Sequence, residues 1–256
     1  MKDREALEIS REVAEEVRKA VTKIAGTKES GEVVGMGKDG TPTKRIDKVA
    51  EDVAISILRR YDVRIVSEEA GVVGEGDVYV ALDPIDGTFN ATRGIPLYSV
   101  TLCFSKGDLG SAFFGYVMNL ATGDEYYTLN GKAFKNGERI EVSKKEEVAE
   151  SDAIFYYPLR DYGFKRLRIY GSAALEICMV AEGAMDCFVD LRRGKGKGFL
   201  RIYDVAGAIK IAQNAGAKVS DAEGKGLEGK RFDMEERMTV VVANPVLHEK
   251  ILRLIG

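Results

Sequence analysis

The run Asp83-Pro84-Ile85-Asp86-Gly87-Thr88 sets two carboxylates three residues apart on a turn fixed by Pro84, with the Ile85 carbonyl between them as a further oxygen donor. Oxygen-only ligation suits Mg²⁺ or a similarly hard cation. Gly87 lets a backbone approach closely, and a helix beginning near Thr88 would turn free N–H groups and a positive dipole end toward an anion such as phosphate. An Asp-Pro turn that merely caps a helix is common, but here other acids gather at element ends as well. Glu68-Glu69 closes one strand pattern, Asp204 opens a helix after Tyr203, and Asp47 follows a glycine-rich loop. Two unpaired carboxylates ~4 Å apart repel by roughly 4 kcal/mol at an effective dielectric of about 20. Such a cluster needs cations to stay ionised.

The elements that must position these acids are legible as periodic patterns. Ala6, Ile9, Val13, Val17, Ala20, Val21 and Ile24 fall on one helical stripe, and residues 47–60 resume helical spacing through Val49, Val53, Ile57 and Leu58. Residues 31–43, rich in glycine and interrupted by Pro42, predict a mobile loop between these two helices. Arg64-Ile65-Val66 predicts a short strand, and Val78-Tyr79-Val80-Ala81-Leu82 a buried strand that ends at Asp83-Pro84. Strands over 99–104 and 111–117, with Gly107, Gly123, Asn130-Gly131 and Asn136-Gly137 as turn points, predict an antiparallel meander. From about residue 150 the pattern becomes strand, helix, strand, helix over 153–157, 172–182, 185–189 and 204–215, with Gly216 as a helix stop. A strand over 239–243 and a helix over 245–255 complete the chain. The expected division is an N-terminal α+β part, 1–148, with an antiparallel sheet and the acidic motif, and a C-terminal α/β part, 149–256.

Composition narrows the chemistry. With 256 residues and 45% hydrophobic content a continuous core is available, and 38 Lys+Arg against 41 Asp+Glu leaves a formal charge of −3, which favours no nucleic-acid partner. No apolar run approaches the ~18–20 residues of a membrane span, and the N-terminus lacks the apolar centre of a signal peptide, so the chain reads as cytoplasmic, with no membrane partner. Cys103, Cys178 and Cys187 sit in apolar contexts without paired spacing and are expected to be buried thiols. His248 is the sole histidine, which removes most Ser/His/Asp, Cys/His and His-ligated zinc mechanisms. The lone glutamine, Gln213, beside abundant Glu and Lys is a thermophile-like pattern.

Two motifs carry a resemblance over nearly the whole chain: Asp83-Pro84-Ile85-Asp86-Gly87-Thr88-Phe89-Asn90, and Tyr203-Asp204-Val205-Ala206-Gly207-Ala208, the latter with Tyr where a Trp is usual. In this pairing and order the sequence resembles the inositol monophosphatase family of Mg²⁺-dependent sugar phosphatases. It is similar in particular to archaeal members acting on both fructose 1,6-bisphosphate and inositol 1-phosphate. The resemblance implies an α/β fold, a layered αβαβα sandwich with its catalytic groups where the two halves meet. It also implies a homodimer and a place in carbohydrate metabolism such as gluconeogenesis. By position it implies metal ligation by Glu68, Asp83, the Ile85 carbonyl, Asp86 and Asp204, with two to three Mg²⁺ per site and Mn²⁺ as a substitute. Thr88, hydrogen-bonded to Asp47 and with Glu68 nearby, would activate the attacking water, and Asp39 would help hold a third, weaker metal. Phosphate would lie against Asp86, Gly87 and Thr88, and Ser172, Ala173 and Asp190 would line the alcohol side.

The basic stretch 191–201 is either a solvated hairpin tip or a grip on a second phosphate. Arg192 is the first residue expected to make that contact, before Arg168 and Tyr157. The stretch is no P-loop, because no Gly-Lys is followed by Ser or Thr after the required glycine spacing. A haloacid-dehalogenase-like aspartyl-phosphate mechanism fits poorly, because it places the second Asp two positions on and here it is three. The alternatives kept open are a 3′-phosphonucleotide or NADP phosphatase of the same superfamily, and a non-catalytic regulator that binds phosphometabolites.

Overall fold

The computed structural model describes residues 1–38, 40–193 and 198–256. Helix α1 (Asp3–Val21) buries the expected stripe, and its acids Asp3 and Glu5 and its bases Arg18 and Lys19 lie at the ends that suit the helix dipole. The segment read as a loop instead contains an antiparallel pair, β1 (Val33–Met36) and β2 (Pro42–Lys44). Pro42 is tolerated because it is the first residue of a strand. Then come α2 (Arg45–Leu58), β3 (Val63–Ser67), β4 (Gly71–Val73), β5 (Val78–Asp86) and α3 (Thr88–Arg93). The meander follows as expected: β6 (Ser99–Ser105), β7 (Phe114–Asn119), β8 (Glu125–Leu129), β9 (Lys132–Lys135) and β10 (Glu138–Arg139). Both Asn-Gly turns have positive φ at each residue, 51° and 72° at 130–131, 50° and 88° at 136–137, which is the turn that matches the twist of paired strands.

Next in the chain lie β11 (Asp152–Tyr156), β12 (Arg166–Arg168), α4 (Ala173–Ala181), β13 (Cys187–Asp190) and β14 (Leu200–Arg201). They are followed by α5 (Ile202–Asn214), β15 (Lys218–Ser220), β16 (Arg237–Met238), β17 (Val240–Ala243) and α6 (Pro245–Ile255). Helix α6 begins where the sequence predicts, with Pro245 at its first position and the Asn244 side chain accepting from the Val246 and Leu247 N–H groups.

Among the described residues the larger sheet runs β10-β9-β8-β7-β6-β5-β3-β4 and the smaller one β12-β11-β13-β17-β15. Strand alternation sorts their side chains into three cores. Leu82, Leu102 and Tyr116 face α1 and α2; Ala81, Cys103 and Val117 face the other way, onto α4 and α5. In the smaller sheet Ile154, Phe188 and Val242 join that same middle core, whereas Phe155, Val189 and Val241 pack with Leu247 and Ile251 of α6. The layers are therefore helix, sheet, helix, sheet, helix, the expected sandwich. His248 is buried in the outermost helix with Nε2 3.0 Å from the Ser220 hydroxyl, and all three cysteines are free and buried.

Two backbone features aim the acids. In a regular strand, residues three apart point to opposite faces. Between β5 and β6, however, Asp83 pairs with Thr101 and Asp86 with Ser99, so one extra residue bulges at Pro84-Ile85 and brings both carboxylates to the same side. Gly207 brings α5 down onto the sheet: a Cβ there would stand 2.5 Å from Thr101 Oγ1 and 2.7 Å from the Leu102 carbonyl. Asp204 lies one turn earlier on this tightly seated helix, at the end of the sheet where β5 delivers Asp83.

Candidate metal and phosphate site

Each acid is held by its own element. Asp83 is buried, and its Oδ1 accepts from the Ile85 N–H at 3.0 Å across the bulge. Asp204, partly exposed at the third position of α5, accepts from the Arg201 N–H at 2.8 Å. Asp47, at the third position of α2, accepts from the Lys44 N–H at 3.2 Å. Glu68 directly follows β3, which lies parallel and next to β5. Its neighbour Glu69 receives the Lys38 N–H at 3.1 Å on its carbonyl and the Thr43 hydroxyl on its side chain, so the β1–β2 ribbon docks beside this acidic corner.

Asp86 is the most heavily bonded member. Its Oδ2 accepts from the Ser172 hydroxyl at 2.5 Å, the Ala174 N–H at 2.9 Å and the Ser99 hydroxyl at 3.4 Å, and its Oδ1 accepts from the Ala173 N–H at 3.2 Å. The carboxylate thus caps α4 from 87 residues away in sequence, so the end of β5 in one sheet is fastened to the helix layer that covers the other. Gly87 allows this contact. It takes φ 92°, and a Cβ would lie 3.0 Å from the Leu97 carbonyl and 3.2 Å from that of Gly171.

The electrostatics describe a cluster of mutually repelling carboxylates, tempered by Lys44 beside Asp47 and by Arg201 and Arg237 beside Asp204. Burial, then repulsion by Glu68, Asp86 and Asp204, raises the Asp83 pKa well above the usual carboxylate range. Burial pushes Asp86 up to about 6 against the pull of its four donors. It pushes Asp204 up to about 7 and Asp47 up to about 6, the latter opposed mainly by the nearby Thr88 hydroxyl. Among the described residues no three Asp, Glu, His or Cys side chains are gathered closely enough to hold a metal ion as they stand. The donor set is instead carboxylates within electrostatic reach of one another plus a carbonyl, which is hard-cation chemistry. Asp47 Oδ1 is one of several buried polar atoms with no close hydrogen-bond partner among the described residues, and the Thr88 hydroxyl, which acts on this carboxyl, donates to the Ile85 carbonyl at 3.2 Å.

The substrate-side residues are placed less uniformly. Ser172, expected to line the pocket or cap α4, is fully buried and makes no cap bond; its hydroxyl and the Ala173 N–H are both engaged by Asp86. Asp190 is likewise buried, and both its oxygens accept from Arg192. Arg192 lies over Tyr156 (4.2 Å to the ring centroid) and Phe199 (4.0 Å), with Tyr157 at 5.9 Å. Tyr157 is 68% exposed at φ 48°, a conformation that bulky residues rarely hold. Arg168 is exposed on β12 and donates to the Leu167 carbonyl. Asp39 and residues 194–197 of the basic stretch lie outside the described residues.

Three contributors escaped the sequence reading: Ser99, Tyr156 and Glu176. Glu176 left a signal, because it is the single charge in the otherwise apolar helix AALEICMVA. Ser99 left none, since its role follows from pairing with the bulge.

The sequence profile of the inositol monophosphatase family matches residues 2–256. A fructose-1,6-bisphosphatase/inositol-1-monophosphatase from Archaeoglobus fulgidus is 59% identical over 256 residues, 100% of both chains. A bifunctional NADP phosphatase/NAD kinase from Methanocaldococcus jannaschii is 34% identical over 98% of this chain, which spans 50% of that longer protein. Among solved structures, a Pyrococcus horikoshii protein described as having similarities to inositol-1 monophosphatase superposes with TM-score 0.87 at 29% identity, covering 100% of both chains.

Proposed function

The chain belongs to the inositol monophosphatase family, and from that premise we propose that it hydrolyses fructose 1,6-bisphosphate, at the 1-phosphate, and inositol 1-phosphate with Mg²⁺. The observation that carries this reading is the bulge that turns Asp83 and Asp86 to one side, within reach of the field of Glu68 and Asp204. Glu68, Asp83, Asp86, Asp204 and the Ile85 carbonyl would hold the cations, two per site with a third near Asp39, and Mn²⁺ as a substitute. Cations held by these residues would supply Lewis-acid stabilisation to the phosphate and the leaving alkoxide and would acidify a water. Thr88 orients that water. Its hydroxyl can accept a hydrogen bond from the water while its own proton is donated to Asp47 Oδ1, a buried acceptor without a close partner. Asp47, its proton affinity already raised by burial, receives the proton. Phosphate release from inositol 1-phosphate and fructose 1,6-bisphosphate with Mg²⁺ tests the reading, and silence on both would overturn it.

A second substrate class has some support. A cavity of about 740 Å³ is lined by Tyr156, Tyr157, Leu159 and Arg192, aromatic enough to receive a nucleobase. NADP in the same assay separates this reading from the first.

Raised carboxylate pKa values set a pH dependence. The native state binds protons more tightly than the unfolded chain, whose aspartates titrate near about 3.9, so cation-free stability falls as pH rises from about 4 to about 7. Mg²⁺ at about 100 times its Kd is worth about 2.7 kcal/mol, or about 5–10 °C in Tm for a chain this size. That shift is expected in full at pH 8 and at less than half at pH 5, where protons occupy the site. Equal shifts at both pH values would contradict the account.

We also assign a homodimer. Edge strand β12 is exposed along its length, and beside it Leu159 (96%), Tyr157 (68%) and Ile169 (42%) stand uncovered. Light scattering distinguishes dimer from monomer. No helix among the described residues is long and apolar enough to cross a membrane, and free buried thiols suit the reducing cytoplasm in which we place the protein.

A further inference from the structure

Glu176 is fully buried in α4 and forms no ion pair with any described cation. A carboxylate in that setting is costly unless hydrogen bonds compensate it. Its Oε1 accepts from two consecutive backbone N–H groups, Tyr170 at 2.5 Å and Gly171 at 3.2 Å, and its Oε2 from the Tyr156 hydroxyl at 2.5 Å. The Tyr170 carbonyl, on the other side of the same turn, accepts from Asn90 Nδ2 at 2.7 Å. This turn therefore hangs between α3 and α4, and the very next residues, Ser172, Ala173 and Ala174, donate to Asp86. At its far end the network continues through the Tyr156 ring to Arg192, whose guanidinium lies 4.2 Å from the centroid and is gripped by Asp190.

We propose that Glu176 is a positioning residue, a buried strut that fixes the 170–174 turn so that its donors hold Asp86 in its metal-binding orientation, and that links this turn through Tyr156 to Arg192 on the substrate side. The proposal deepens the phosphatase reading and rests on it. Glu176 touches neither substrate nor reacting atoms; it acts through the backbone of Tyr170 and Gly171. An apolar side chain would fill the volume as well, but it would leave two adjacent N–H groups and a tyrosine hydroxyl without acceptors.

The test compares E176A, E176Q and Y156F with wild type by Mg²⁺ calorimetry, kcat, KM and Tm. Outer partners of metal ligands are typically worth about 10–100-fold in metal affinity or activity. E176A is expected to weaken Mg²⁺ about tenfold or more and to lower kcat comparably, with KM for inositol 1-phosphate within about twofold. E176Q keeps an oxygen for the two N–H groups and offers its amide to the Tyr156 oxygen, so it is expected to stay within about threefold of wild type in both. A folded E176A with wild-type Mg²⁺ affinity and kcat, whatever its Tm, overturns the proposal, as does an E176Q as impaired as E176A. Should E176A not fold, Y156F decides, since it removes one hydroxyl only: about three- to tenfold weaker Mg²⁺ supports the strut and unchanged affinity overturns it. A wild-type chain that neither binds Mg²⁺ nor releases phosphate would instead sink the phosphatase reading itself.

Discussion

Asp204→Asn is expected to lower kcat by about 10³-fold or more, because a clamped cation contributes several kcal/mol to the transition state and each 1.36 kcal/mol, roughly, is tenfold in rate. The substituted chain should fold normally. Asparagine still offers an oxygen to the Arg201 N–H at 2.8 Å, and the charge it removes is one the pocket holds unwillingly, its pKa raised to about 7 by burial. Asp86→Asn should lose as much activity but pay in stability too. Both Asp86 oxygens accept hydrogen bonds, and an amide would turn an N–H toward either the Ala173 or the Ala174 donor. A buried donor left unsatisfied costs about 1–3 kcal/mol, a few degrees of Tm here. Steady-state kinetics and thermal melts on the two variants check the contrast; an Asp204→Asn enzyme within tenfold of wild type contradicts it.

Thr88→Ala is expected to lower kcat by about 10²-fold or more, the usual worth of a positioned proton-transfer group. Stability should barely change. Thr88 is half-buried, and its hydroxyl donates to the Ile85 carbonyl at a long 3.2 Å. Thr88→Ser restores the hydroxyl and should recover most of the rate. Comparable activity in the Ala and Ser variants would remove Thr88 from the mechanism.

The layered fold was legible because periodicity and turn chemistry agreed along most of the chain. The meander from β5 to β10 follows directly from its alternating strands and Asn-Gly turns, and α6 from its Asn-Pro start. What escaped has physical causes. The β1–β2 ribbon is too short and too exposed to leave a hydrophobic period, and β5 continues through Pro84 because a bulge accommodates a residue that ordinarily ends a strand. The acids themselves could be named from type and spacing, since a hard-cation site needs carboxylates. Their supports could not. That Ser172 and Asp190 are each buried against a charged partner follows only from three-dimensional pairing. Glu176 was visible as a charge in an apolar helix, but its acceptor role depends on a turn whose geometry no spacing rule supplies.

Anomalous scattering from crystals soaked in millimolar Mn²⁺ shows where the chain holds hard cations. Peaks are expected among the oxygens of Asp83, Asp86 and Asp204 and the Ile85 carbonyl, with Glu68 adjoining. Density for Mn²⁺ elsewhere on the surface, with these oxygens bare, would contradict that placement.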